Sequence, residues 1–317
     1  MVEALEQLSA AGVTRPTALT LGVFDGLHLG HRSLINAVRR VARHFGLASA
    51  VCFFKNHPST VLNPDGAFDY LTTWEERARI LRFSGIDYPI PLTFDQELAA
   101  LTPESFVAEL VARAHLKQLV VGPDFALGKG RGGTVPVLTA LGAKYGFEVR
   151  AQEPYRNTGE VVSSSAIRQR LRGGDVTGAE QMLGRPYRLR GLVVKGDQRG
   201  RTLGFPTANI AIPSHILVPA NGIYTTYAHL TGEVDLGRRR GLLSVTSIGT
   251  RPTFSGVDRR VETFLLDFDR DIYGQELAID LMEFQRPELR FENVDALIAQ
   301  MHADVAHART VFAPQPR

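Results

Sequence analysis

The sequence predicts an α/β half followed by a β-rich half, on three observations. Strand-like and helix-like runs alternate as far as residue 151, the texture turns Gly- and Pro-rich near Gly184, and short β-type runs follow. A chain of 317 residues exceeds the usual size of one core, which supports two domains. Their boundary is expected at residue 184, giving domains 1–184 and 185–317.

In the first half, Ala18–Val23, Ala48–Phe54, Gln118–Val121 and Phe147–Ala151 are apolar runs of strand length. Arg32–Phe45, Thr73–Phe83, Pro103–Ala114 and Val135–Tyr145 repeat their apolar residues at helical spacing. Such alternation argues for a parallel sheet covered on both faces, with ligands bound at the carboxyl ends of its strands. In the second half, Gly222–His229, Gly241–Ile248, Arg260–Phe268 and Gln275–Glu283 read as strands of a small barrel or sandwich. A last helix is capped by Asn293, with Val294, Leu297, Ile298, Met301, Val305, Ala308 and Phe312 on its apolar face.

Composition narrows the function classes. Hydrophobic residues at 44% and charged residues at 22% are those of a globular protein, and no apolar run approaches the length of a membrane span. The one cysteine, Cys52, excludes an internal disulfide and a cysteine-based metal cluster. With no signal-peptide core near the start, this predicts a cytoplasmic protein. Net charge is only +3, yet residues 185–260 hold 12 Lys and Arg against 4 Asp and Glu. Nucleic acid is one reading of that excess, but the segment lacks an aromatic ladder or a basic recognition helix, so a small polyanion such as a nucleotide fits as well, and a nucleic-acid partner is not expected. The triplet Arg238–Arg240 reads as a solvated loop.

"TLGVFDGLHLGHRSLI", residues 20–35, sets His28 and His31 around Gly30 where a strand run meets a helix run. Free N–H groups and the positive end of a helix dipole make such a junction an anion site. Taken alone, the two histidines are equally compatible with a structural pair. "SSSAIRQRL", residues 163–171, offers serines to cap a short helix and to donate to phosphate, with Arg168 on its first turns. "VVGPDFALGKGRGG", residues 120–133, suits a mobile loop over substrate but is not a phosphate loop of the Gly-Lys-Ser/Thr kind.

"KGDQRGRTLGFPTANI", residues 195–210, carries Gly196, Gly200 and Gly204 in a loop whose backbone could wrap phosphate. In an extended chain Thr207 and Asn209 point the same way, and their oxygens are hard ligands for Mg²⁺ carried by a nucleotide. Glu262 lies inside an apolar strand run, where a carboxylate is either paired or in proton chemistry. Asp267, Asp269 and Asp271 near that strand's end read as turn residues.

GVFDGLHLGH, GPDFALG, SSSAIRQRL, GRPYRLRG, GRTLGFPTANI, NGIY, SIGTRPTF, VETFLLDFD, IYG and RPELRF together resemble the bacterial bifunctional riboflavin kinase/FAD synthetase family. The resemblance runs from Leu19 to Phe312. It implies an N-terminal Rossmann-like nucleotidyltransferase domain and a C-terminal Greek-key β-barrel riboflavin kinase domain. The implied substrates are riboflavin, FMN and ATP, with Mg²⁺. Glu262 matches the family's base, and Thr207 and Asn209 its metal and phosphate ligands. His28, His31, Ser164 and Arg168 match residues that position ATP and stabilise the leaving pyrophosphate, with Gly22, Phe24 and Gly30 beside them. His57, Pro58 and Asp124 match the flavin side of that site. The chain departs from the family pattern at Asn56, where proline is usual, at Leu127, where an aromatic is common, and at Val23, a frequent asparagine. A chain with only the kinase working, or a flavin- or RNA-binding regulator on the same fold, is the alternative.

Overall fold

The computed structural model describes residues 2–157, 159–196, 200, 203–230, 241–253 and 256–312. The chain forms two compact units, Met1–Ser164 and Ser165–Arg317. The break thus falls twenty residues ahead of the expected boundary, because two helices cluster with the barrel that follows them. The Arg238–Arg240 triplet lies outside the described residues, as do Asp197–Arg199 of the glycine-bearing loop.

In the first unit, helix α1 (Glu3–Ala10) precedes β1 (Thr17–Gly22), α2 (Leu29–Phe45) and β2 (Ala48–Phe54). Short α3 (Ser59–Leu62), α4 (Trp74–Phe83), β3 (Tyr88–Leu92), α5 (Gln96–Ala100), α6 (Pro103–Ala114) and β4 (Leu116–Val121) come next. The hairpin β5 (Ala126–Leu127) and β6 (Gly133–Thr134) leads to α7 (Val135–Tyr145) and β7 (Glu148–Ala151). A second small hairpin, β8 (Arg156–Asn157) and β9 (Glu160–Val161), ends the unit.

The main sheet runs β3-β2-β1-β4-β7, and all its pairings are parallel. The chain leaves β1 toward β2 and β3, then returns to the other side of β1 as β4. The carboxyl end of β1 is therefore a topological switch point, the usual ligand position of such sheets. Alternation along β1 sends Leu19 and Leu21 to one buried cluster and Ala18 to another with Val38 and Ala42 of α2. Burial on both faces explains why β2 reads as an unbroken apolar run, ASAVCFF. β3 escaped the sequence reading because it contains Pro89 and Pro91, which an edge strand tolerates.

The second unit begins one residue into α8 (Ser164–Arg172), and α9 (Val176–Leu183) follows. Six antiparallel strands follow: β10 (Tyr187–Val194), β11 (Thr207–Ala211), β12 (Gly222–Leu230), β13 (Leu242–Thr253), β14 (Gly256–Leu265) and β15 (Glu276–Arg286). They close into a barrel in the order β10-β11-β14-β13-β12-β15. Inside it, Thr226 bonds Ser244 and Thr246, and Thr246 bonds Thr263, so buried hydroxyls satisfy one another. Helix α10 (Val294–Phe312) closes the unit, and the Asn293 side chain accepts from Ala296 N–H as its cap. Arg286 grips Asp304 of that helix with two bonds of 2.8 and 2.6 Å, fixing α10 to the end of β15.

Candidate active sites

The loop between β1 and α2 carries three residues with positive φ: Phe24 (53°), Gly26 (80°) and Leu27 (41°). Left-handed backbone at two bulky residues costs about 1–3 kcal/mol each and persists only where its surroundings enforce it. Phe24 and Leu27 are buried, and Asp25 beneath them ties the loop down. The Asp25 carboxylate accepts from the N–H groups of Leu71 and Thr72 and from the Thr72 hydroxyl, while Thr72 Oγ1 accepts from Gly26 N–H. Neither Asp25 nor Thr72 was singled out from sequence, although Asp25 stands inside the quoted motif.

His28 caps α2: its Nδ1 accepts from His31 N–H at 3.3 Å. With Nδ1 an acceptor, neutral His28 carries its ring proton on Nε2. The two imidazoles stack with centroids 3.6 Å apart, and Phe24 meets His31 edge-on. Gly30 leaves little room for a side chain, since a Cβ there would lie 3.1 Å from both the His28 ring and the Val162 carbonyl oxygen, closer than most such contacts. At Gly22 a Cβ would lie 3.3 Å from the Phe24 ring. Burial first, then the neighbouring His28 and Arg77, hold the His31 pKa well below 6.5, so its ring is neutral at neutral pH.

Ser164 opens α8, but its hydroxyl donates to the Asp25 carbonyl at 2.9 Å, so here it clamps the loop. The expected donation to phosphate would require that hydroxyl to turn. Arg168 lies one turn further along α8. His57 stacks on Phe68 at 4.1 Å, its Nδ1 meets the Ser59 hydroxyl, and its N–H donates to Tyr70. Pro58 starts α3. Asn56 takes over the role of a strand residue, because its amide exchanges two hydrogen bonds with the Phe94 backbone at 2.8 and 2.9 Å. Asp124 is exposed, and its carbonyl accepts from Arg131. Leu127 is buried in the main core, alongside both aliphatic and aromatic residues.

In the second unit a cavity of about 340 Å³ opens between the outer barrel face and α10. Ile223, Val245, Phe264, Phe291, Leu297 and Met301 give it apolar walls, and Glu262 and Thr207 reach it from β14 and β11. Glu262 stands in register with Asn209 on one side and Ser247 on the other. Arg260 is 3.7 Å from its carboxylate, and the side chain keeps 33% exposure, so Glu262 is neither locked in a tight pair nor sealed from solvent. A second cavity, of about 420 Å³, lies beside Val193, Pro206, Thr207, Asp269, Arg270 and Tyr273. Thr207 borders both.

The glycine-bearing loop comes close to the same side chains. A Cβ on Gly196 would lie 2.3 Å from Asn209 Nδ2, and one on Gly200 would lie 3.4 Å from Thr207 Oγ1. Gly204 has φ +84°. Among the described residues no cluster of three His, Cys, Asp or Glu could hold a metal. Any ion at Thr207 and Asn209 would therefore share two neutral oxygen donors and rely on phosphate oxygens, as Mg²⁺ with a nucleotide does. The donor set fits that ion. The turn role of the aspartates is partly visible: Asp271 accepts from Tyr273 N–H, and Asp267 has φ 56°.

The FAD synthetase family model matches residues 11–166, and the Riboflavin kinase family model matches residues 183–312. A bifunctional riboflavin kinase/FMN adenylyltransferase of Listeria monocytogenes is 37% identical over 300 residues, covering 93% of this chain and 92% of that protein. One from Escherichia coli is 37% identical over 295 residues, with the same coverage of both. A solved Streptococcus pneumoniae structure named as a macrolide-efflux protein is 31% identical, with a TM-score of 0.84 over 93% of this chain and 95% of that one. No helix among the described residues is long and apolar enough to cross a membrane. With both modules present in order and whole-length relatives at this identity, the chain belongs to the bifunctional riboflavin kinase/FMN adenylyltransferase family.

Proposed function

We propose that this chain phosphorylates riboflavin with ATP in its second unit and adenylates the resulting FMN in its first, releasing pyrophosphate. The observation that carries the reading is Glu262, an ionisable group on an apolar cavity of flavin-compatible size, flanked by Asn209 and Thr207. A ribityl hydroxyl is a poor nucleophile at neutral pH. As its oxygen bonds to the γ-phosphorus of ATP and ADP leaves, the proton passes to the Glu262 carboxylate. Asn209 and Thr207 orient the phosphate oxygens, and Mg²⁺ bound with ATP supplies charge neutralisation there. Thr207 borders both cavities, which supports flavin on one side of it and nucleotide on the other.

Adenylation needs no base, because the FMN phosphate is already an anion. Its oxygen attacks the α-phosphorus and pyrophosphate leaves, so the chemistry rests on position and on donors for the developing charge. His28 Nε2–H, the N–H groups at the start of α2 and Arg168 are the proposed donors. His57, Pro58 and Asp124 are the proposed flavin contacts. Incubation with ATP, Mg²⁺ and riboflavin, followed by separation of flavins, tests both halves. FMN then FAD is the expected sequence; FMN without FAD would remove the adenylyltransferase reading, and tight flavin binding without turnover would remove both.

A further inference from the structure

Arg77 of α4 is 1% exposed, the largest fully buried side chain among the described residues. A buried guanidinium is normally paired with a carboxylate, since desolvating its charge is expensive. Arg77 instead donates to backbone carbonyls: Nη1 to Val23 at 2.6 Å and Phe54 at 2.8 Å, Nη2 to Lys55 at 2.7 Å, and Nε to Thr73 at 3.4 Å. Val23 follows β1, Phe54 ends β2, and Thr73 caps α4. One planar fork therefore ties the strand ends at the switch point to the start of a helix. Lysine has the charge but not the fork needed to reach carbonyls in several directions at once.

The Val23 carbonyl opens the loop whose Phe24 and Leu27 are held in left-handed backbone, and that loop delivers His28 and His31. We infer that Arg77 is a positioning residue for FAD synthesis: it sets the stacked histidine pair by fixing the strand ends from which their loop departs, and it brings a positive charge to act on that pair. The inference rests on the adenylyltransferase reading of the first unit. The charged and titratable groups facing His31 are His28, from its own turn, and Arg77, from α4; burial acts first, and both groups further oppose its protonation. Asp25, the carboxylate of the same loop, acts on Arg77 and bonds to residues 71 and 72.

The test compares full-length wild type, Arg77→Lys and Arg77→Met in FAD formation from FMN across pH, with thermal unfolding of each. Misplaced by a fraction of an ångström, the histidine pair of Arg77→Lys should lose up to about 10²-fold in kcat. Its KM for ATP should change little, and its acid limb should stay where the wild type has it, because the charge remains. Arg77→Met should show the same loss with its acid limb moved to higher pH, as His31 regains basicity. Unchanged kcat in folded Arg77→Lys, or an unmoved limb in folded Arg77→Met, overturns the inference. Should neither variant fold, Arg77→Gln, which keeps two N–H donors and drops the charge, takes their place: a His31 midpoint raised above the wild type's by NMR supports the charge role, and an unchanged midpoint overturns it. A wild type that makes no FAD would instead overturn the adenylyltransferase reading.

Discussion

The rings of His28 and His31 lie face to face, 3.6 Å apart and 18° from parallel. Two imidazolium ions would repel strongly in that geometry, and burial first, then its neighbours, hold the His31 pKa well below 6.5. The unfolded imidazole titrates near 6.5 and the folded one lower, so the unfolded chain takes up the proton first as pH falls. Stability of the first unit should be full above pH 6.5 and decline beneath it. Thermal unfolding followed down the pH scale should show this slope in the wild type and a flatter one in His31→Gln. Equal slopes would mean the pair is not what titrates.

His28→Ala and His31→Ala should each suppress FAD formation while riboflavin phosphorylation continues in the same molecule. Loss of one preorganised donor to a transition-state anion typically costs about 2.7–4 kcal/mol, seen mainly in turnover. Two purely structural histidines would instead lower thermal stability and leave adenylation by the folded fraction intact. Wild-type FAD synthesis in a folded double variant would rule out the phosphate role.

Glu262→Gln should stop most FMN formation and spare FAD formation from supplied FMN. The amide keeps the size of the side chain beside Asn209 and Ser247 but cannot accept the hydroxyl proton. General-base removal is worth about 10²–10⁴ in rate. Near-normal kinase turnover in this variant would remove Glu262 from the base role. Gly196→Ala should also slow the kinase, by pushing a methyl group against the Asn209 amide.

The sequence made much of this legible where a local pattern has a local cause. Alternating runs exposed β1, β2 and α2, since each buries a regular set of apolar residues. The extended Thr207–Ala208–Asn209 segment appears with Ala208 inward and the two polar residues outward. What escaped depends on distant partners. Arg77 looks like any helix arginine until the fold brings it three carbonyls from other elements. The start of the second unit was hidden for the same reason, because α8 and α9 carry ordinary helix signals that do not reveal which core they join.

Arg188 and Asp280 face each other on β10 and β15 in two bonds of 2.6 Å, and His229 adds a third bond to the same carboxylate. Burial pushes the Asp280 pKa up, but the bonds from Arg188 and His229 outweigh it and hold the pKa below 3.8. The folded carboxylate thus gives up its charge later than the unfolded one as pH falls. Its stabilisation is present above pH 3.8 and disappears as pH drops through the folded value. Arg188→Met leaves the carboxylate with one partner fewer in a buried place and should cost about 3–5 kcal/mol. Unfolding of the second unit in urea at neutral pH measures this, and a loss near zero would mean that the pair contributes nothing net.

The position of the cut between units is open to direct test. Glu262, Thr207 and Asn209 all lie after residue 184, so a fragment of 185–317 holds every residue proposed for the kinase step. Yet the barrel also carries α9, whose Val176, Ala179, Met182 and Leu183 are buried and which packs on β10 and β15. The preceding helix is tied in as well, for Ala220 N–H donates to the Leu171 carbonyl at 3.0 Å. Large apolar side chains stabilise by about 1.5–3 kcal/mol each when buried, so removing α9 uncovers a costly area. A fragment of 165–317 should therefore fold, melt cooperatively and convert riboflavin to FMN. One of 185–317 should melt at a clearly lower temperature and show less kinase activity per mole of protein. Equal melting temperatures would show that the two helices contribute nothing to the barrel's stability, and the shorter boundary would stand. A folded 165–317 fragment without kinase activity would sink the idea that the second unit suffices for FMN synthesis.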